Sequence, residues 1–175
     1  FGLRISSQTV LKLSMKNALI IFARNPVLGK VKTRLAEKLG DKKAYEIYIM
    51  LLENIYNKTK DLNYEKYLFL SENPDENLFD SGYTQVIQKG SDLGERMYNA
   101  IETVLNEGAE KVILIGTDIP DIDSKIIDEA FSKLSTNDIV IGPAKVGGYY
   151  LLRMKEETKF LFENIEWSNE NVLRN

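Results

Sequence analysis

The stretch Asn25–Leu35, NPVLGKVKTRL, joins two segments with different patterns. Before it runs Ala18–Ala23, ALIIFA, a continuous apolar run that reads as a buried strand; after it, Leu35–Leu39 reads as helix. In and beside the connection stand Pro26, Gly29 and the cations Arg24, Lys30, Lys32 and Arg34. A strand, a Pro/Gly turn and a cationic helix start together make a place to hold an anion. Cations in a helix's first turn face the positive end of its macrodipole, at a cost of roughly a few tenths of a kcal/mol each, and a bound phosphate reverses that sign. The plain alternative is a solvated, charged turn. The pattern is not a Walker A loop, because Gly29-Lys30 is followed by Val31, and the G-x-G-x-x-G dinucleotide fingerprint is absent here.

The chain outside this stretch is of ordinary globular composition, 43% hydrophobic and 28% charged. Its 175 residues are enough for one domain with one sizeable core. The net charge of −3 argues against a general nucleic-acid binder, so the basic cluster is local, as for a small anionic ligand. Neither Cys nor His occurs. That removes disulfides, thiolate nucleophiles, Ser-His-Asp triads and zinc sites built on Cys or His. Any metal must take oxygen ligands, which points to Mg²⁺ or Mn²⁺. No apolar run approaches the ~20 residues of a membrane span. Residues 1–14, FGLRISSQTVLKLS, lack the apolar core of a signal peptide and precede Met15; they read as an extension outside the fold, with a single domain over 15–175 and a cytoplasmic location.

Along the chain, strands alternate with helices. Asp41–Asp61 is a long helix with Ala44, Ile47, Tyr48, Leu51, Leu52 and Ile55 on one face. Tyr64–Leu70 is the second strand, Thr84–Gln88 a short third, and Leu93–Leu105 a helix with Met97, Ala100, Ile101 and Val104 inward. Lys111–Ile115 is a fourth, buried strand; a helix follows through Ile126, Ile127, Ala130, Phe131 and Leu134. Further strands are expected at Asp138–Ile141 and Gly148–Met154, and a short helix at Glu156–Phe162. This alternation predicts right-handed crossovers and a mostly parallel sheet covered on both faces. Ligands of such sheets sit beyond the carboxyl ends of the strands, where the strand order reverses.

Further constellations fall at those ends. Gly116-Thr117-Asp118-Ile119-Pro120 follows a buried strand directly, so Asp118 is placed to hold a divalent cation with Thr117 adding a hydroxyl; otherwise Asp118 only caps a turn. Asp123 reads as the N-cap of the next helix, and Asp121 is open. In Ser91-Asp92-Leu93-Gly94-Glu95-Arg96, Asp92 and Glu95 have capping-box spacing, while Gly94 suits a close approach to backbone and Arg96 an anion contact. Gly147 and Gly148, before Tyr149, allow a close ligand approach or simply a hairpin. Ser168 reads as a helix N-cap, and Trp167 as a core anchor or a substrate platform.

The segments FARNPVLGKVKTRL, GSDLGERM, GTDIP, GPAKVGGYYLL and IEWSNENVL resemble, in order, the motifs of a bacterial glycosyltransferase-A-like family. That family is often linked to arsenosugar biosynthesis or to radical-SAM proteins, is similar in fold to the nucleotide-diphospho-sugar transferases, and is more distantly similar to guanylyltransferases. The resemblance runs from about Ala18 to Asn175. It implies a three-layer α/β/α sandwich that binds a nucleotide, phosphate contacts from Arg24, Lys32 and Arg34, and a metal-binding role for Asp118. It also implies a metal-dependent transferase acting on a nucleotide-diphospho-sugar and a small-molecule acceptor. The nucleotide and phosphate side would be Arg24, Pro26, Gly29, Lys30, Lys32, Arg34, Asp92, Gly94, Arg96 and Thr117, with Gly147, Gly148, Tyr149 and Trp167 on the sugar or acceptor side. Two departures accompany it: Val146 stands where the family has Asp, and the chain ends at Asn175, where members continue for a further helix or so. A nucleotidyltransferase that releases pyrophosphate and a nucleotide-binding module without turnover remain alternatives. Asp92, Glu95 and Asp121 are candidates for the general base.

Overall fold

The computed structural model describes residues 16–73 and 78–142; the expected strand at Gly148–Met154, the helix at Glu156–Phe162 and the Gly147–Tyr149 and Trp167 positions lie outside them. The central strand is β1 (Asn17–Ala23), in which Ala18, Leu19, Ile20 and Ile21 are fully buried. Apolar side chains point to both faces of β1, which is why its sequence is a run rather than an alternation. It pairs in parallel with β2 (Glu65–Leu70) on one side and β4 (Lys111–Gly116) on the other, and β3 (Thr84–Ile87) pairs in parallel with β2. Among the described residues the sheet has four strands, in the order β3-β2-β1-β4.

Helices cover both faces. On one, α2 (Asp41–Thr59) and α4 (Ser124–Lys133) bring Tyr48, Leu52, Ile55, Ile127, Ala130 and Phe131 onto Leu19, Ile21, Leu68 and Ile113. On the other, α3 (Leu93–Asn106) sets Met97, Ala100, Ile101 and Val104 on Ala18, Ile20, Tyr67 and Leu114. The result is an α/β/α sandwich whose alternate strand residues feed two separate cores. Each fully buried Leu or Ile contributes about 1.5–3 kcal/mol, so the sheet centre holds the fold together.

Among the described residues, two helix starts are fixed by side chains. Asp92 Oδ1 accepts from the Glu95 amide and Asp123 Oδ1 from the Ile126 amide, as N-caps of α3 and α4. The seven-residue α1 (Thr33–Leu39) has no such cap and no buried side chain; the connection before it is anchored instead by Val31, which is buried in the α2 face of the core.

One expected element differs. No strand is assigned at Asp138–Ile141 among the described residues. Ile139 and Val140 nevertheless pack against opposite faces of the sheet, the alternation of an extended segment. Only these two positions are half-buried, Ile141 being exposed, and partial burial does not supply a pairing strand.

Candidate functional site

The order β3-β2-β1-β4 reverses between β1 and β4, since β2 and β3 build outward on one side and β4 returns to the other. The register places Phe22 opposite Gly116, so the two chains leave the sheet together, one into Arg24-Asn25 and the other into Thr117-Asp118. A cleft of about 690 Å³ opens at this point. The carboxyl ends of parallel strands at a reversal of order are where such sheets bind ligands.

The cleft has a cationic wall and an apolar floor. Arg24, Lys30, Lys32 and Arg96 line it, together with Thr117, Asp118, Asp92 and Glu72; Phe22, Met97, Ile101 and Leu114 lie beneath. Arg96 donates from Nε to the Gly90 carbonyl at 3.0 Å, which fixes the guanidinium at the cleft. Lys32 Nζ stands 2.5 Å from Asp118 Oδ1, and the Thr117 hydroxyl donates to the same oxygen at 3.2 Å. Lys32 is also the one non-glycine residue with a positive φ among the described residues, 50°, in the left-handed region.

Not every candidate residue reaches the cleft. Pro26, Gly29, Gly94 and Arg34 are not among its lining residues. Gly29 serves the turn, with φ 78°, and Gly94 is a buried residue of α3. Arg34 is an exposed residue of α1, two positions beyond Lys32. Of the three candidate bases, Asp92 caps α3, and Glu95 Oε2 accepts from both the amide and the hydroxyl of Ser91, at 2.7 and 2.6 Å. Asp121 is exposed and not on the cleft wall.

The loops are held by residues that the pattern of the chain did not single out. The Tyr48 hydroxyl donates to the Arg24 carbonyl at 2.7 Å and accepts from the Arg24 amide at 2.9 Å, so both backbone groups of one cleft residue are tied to α2. Burial pushes the Tyr48 phenol up to about 12, with the Arg24 backbone and the Thr117 side chain pulling the other way. From the same helix, Lys58 Nζ donates to the Pro120 carbonyl at 2.9 Å, steadying the loop that carries Asp118. Buried Asn25 accepts from the Ser71 hydroxyl and the Glu72 amide, and Gln88 Nε2 donates to the carbonyls of Ala23 and Phe69. Gly90 is a glycine that both backbone and packing require. At φ 143°, an added Cβ would lie 2.8 Å from the Arg96 amide nitrogen. These are long-range ties, invisible to periodicity; only the glycine and the buried-amide types themselves hint at them.

The donor chemistry fits a hard divalent cation in one mode only. No group of three or more carboxylates gathers among the described residues. Asp118 offers an exposed oxygen donor, so the remaining ligands would be phosphate oxygens and water, as is usual for Mg²⁺.

Comparison with known proteins agrees with this architecture. The chain is similar to a solved, provisionally assigned nucleotide-diphospho-sugar transferase from Desulfovibrio desulfuricans G20, with a TM-score of 0.80, 30% sequence identity, and 89% of this chain and 71% of that one covered. A solved protein from Aquifex aeolicus VF5 shares the fold at a TM-score of 0.53 and 16% identity, covering 94% of this chain and 80% of that one. Among curated proteins, the 2-phospho-L-lactate guanylyltransferase of Methanocaldococcus jannaschii is 29% identical over 143 residues, 79% of this chain; the chain spans 60% of that relative's length. The fold is thus that of the nucleotide-diphospho-sugar transferases. Residues 56–169 match a family model described as "Uncharacterized protein conserved in bacteria (DUF2064)", and it is to this family that the chain belongs.

Proposed function

We propose that the cleft binds the diphosphate of a nucleotide-diphospho-sugar and that the chain is a glycosyl transferase. The observation that carries this is the gathering of Arg24, Lys30, Lys32 and Arg96 opposite Asp118, at the reversal of strand order, in a chain of net charge −3. In the reaction, an acceptor hydroxyl oxygen bonds to the anomeric carbon of the sugar. The bond from that carbon to the diphosphate breaks, its electron pair leaves with the nucleoside diphosphate, and the hydroxyl proton passes to a base or to water. Lys32 and Lys30, with Arg96 fixed by Gly90, take up the negative charge that grows on the leaving oxygens. The apolar floor excludes water from below. Mg²⁺ or Mn²⁺, held by Asp118 and the phosphates, would add Lewis-acid charge stabilisation when bound.

A nucleotidyltransferase is the second reading, favoured by the likeness to the guanylyltransferase. There an acceptor phosphate attacks the α-phosphorus of a nucleoside triphosphate, and pyrophosphate leaves. Product analysis separates the two: release of nucleoside diphosphate supports the first, release of pyrophosphate the second.

Calorimetric titration with UDP, GDP, CDP, dTDP and the corresponding triphosphates, with and without Mn²⁺, tests the common core of both. One nucleotide binds, more tightly with Mn²⁺, and Asp118→Ala removes the metal's effect and lowers metal-dependent turnover at least about 100-fold, the scale of losing one electrostatic stabiliser. If the folded chain binds none of them, the nucleotide reading is wrong.

A further inference from the structure

We infer that Lys32 controls access of a divalent cation to Asp118, so that metal occupies this carboxylate only after a polyphosphate has drawn the lysine away. The inference rests on the proposed nucleotide site but adds an order to its loading.

Three observations lead to it. The Lys32 ammonium already sits 2.5 Å from Asp118 Oδ1, and the Thr117 hydroxyl donates to that same oxygen. Asp118 therefore has both a cation and a hydrogen-bond donor on one oxygen. A metal ion approaching that oxygen would meet a like charge within van der Waals distance, and like charges that close exclude one another. Next, the two partners are unequally exposed. The Asp118 side chain is 66% accessible and the Lys32 side chain 22%. The carboxylate is open to solvent and to ions, so what keeps it engaged is the lysine rather than burial. Finally, the lysine's backbone is held in the left-handed region at φ 50° and ψ 42°, immediately before α1 and just after buried Val31. A non-glycine residue persists there only when its surroundings fix it. The unusual backbone directs the side chain across the cleft to the far loop.

The same lysine lines the cleft beside Lys30 and Arg24. A diphosphate brings more negative charge than one carboxylate, and ammonium is a point charge free to re-aim by rotating its stem. When phosphate enters, Lys32 turns to it, and Asp118, released from the ammonium, would then be free to hold a divalent ion. Metal binding and nucleotide binding are thereby coupled, each raising the affinity for the other by the same factor. Lys32 acts here as a positioning residue for the cation.

The test is Mn²⁺ binding to the full chain, read by the electron paramagnetic resonance signal of the free ion, with no nucleotide and then with each of UDP, GDP, CDP and dTDP. Wild type binds Mn²⁺ alone at least tenfold more weakly than it does in the presence of the nucleotide it accepts. Lys32→Met, which keeps the stem and removes the charge, binds Mn²⁺ alone at least tenfold more tightly than wild type, and Asp118→Asn abolishes that gain. Lys32→Arg restores the wild-type exclusion. Lys32→Asn is the companion to Lys32→Met, since Asn tolerates a left-handed backbone where Met is strained; circular dichroism establishes that each variant is folded. Equal affinity of wild type and both neutral variants for Mn²⁺ alone overturns the inference. That comparison involves no nucleotide, so its outcome is independent of the nucleotide reading, which fails separately if wild type binds no nucleotide under any metal condition.

Discussion

Tyr48 shows how much one side chain decides at the cleft. Its hydroxyl holds both backbone groups of Arg24, and Tyr48→Phe leaves those groups without their protein partner. Loss of about 1–3 kcal/mol in urea unfolding at pH 8 is expected, as for removing one partner of a largely buried bond. The pH dependence has a definite sign. The phenol's folded value, about 12, lies above the ordinary 10.0. Below pH 10 both folded and unfolded chains keep the proton, and the stabilisation is complete. Between pH 10 and 12 only the unfolded chain releases it, so stability falls as pH rises. The stability difference between wild type and Tyr48→Phe should shrink across that window; a difference constant with pH would show that burial does not hold the proton on. Gly90 is the second residue-scale determinant. Gly90→Ala puts a Cβ against the backbone of Arg96 at φ 143°, and a cost of about 1–3 kcal/mol follows, measured by the same unfolding experiment. Neither residue stood out in the chain. Tyr48 fell on the apolar stripe of α2 and read as core, which it is; its second role comes from where its hydroxyl ends.

At the scale of elements, α3 and α4 begin in the same way and should fail differently. Asp92 and Asp123 each cap their helix through one carboxylate oxygen, and replacing either by Ala costs about 1 kcal/mol of stability. Asp92 also lines the cleft, whereas Asp123 does not. Asp123→Ala should therefore leave nucleotide affinity unchanged, and Asp92→Ala should alter it as well as lower stability. Calorimetry alongside thermal unfolding distinguishes the two. Both caps were legible from spacing, as were the spans of α2, α3, β1, β2 and β4, because a cap and an apolar period are local facts. The Asp138–Ile141 segment was not, because strand character depends on a partner, and the same alternation of Ile139 and Val140 serves an unpaired extended segment equally well. The seven-residue α1 presents the opposite case. Its start lacks an acidic residue and a side-chain cap, and Val31 before it, rather than any side chain of its own, is the one buried in the core.

For the whole molecule, the distribution of charge matters more than its total. The chain is net −3, yet the cleft gathers cations from β1's exit loop, the turn before α1, and α3. Nucleoside diphosphate affinity should accordingly fall as salt rises from 50 mM to 500 mM, by roughly threefold to tenfold, because partly exposed cations are screened over a Debye length that shortens from about 14 to 4 Å. Affinity independent of salt in isothermal titration would place the ligand's charge elsewhere. No helix among the described residues is long and apolar enough to cross a membrane.

The sequence by itself determined the class of the fold: continuous apolar strands alternating with amphipathic helices leave a covered parallel sheet as the economical way to bury both faces of each strand. It also determined which chemistries are absent, since a chain without Cys or His has only oxygen and cationic nitrogen groups to work with. Only the tertiary structure decided which cations share a cleft. Strand order brings β1 and β4 side by side, so Lys32 meets Asp118 although most of the sheet is built between them along the chain. It also separated Lys32 from Arg34, close neighbours in sequence, by setting one at the turn and the other on the exposed helix. Residue type and spacing carry local information, and a site assembled from separate loop and helix segments is a property of how the sheet is ordered.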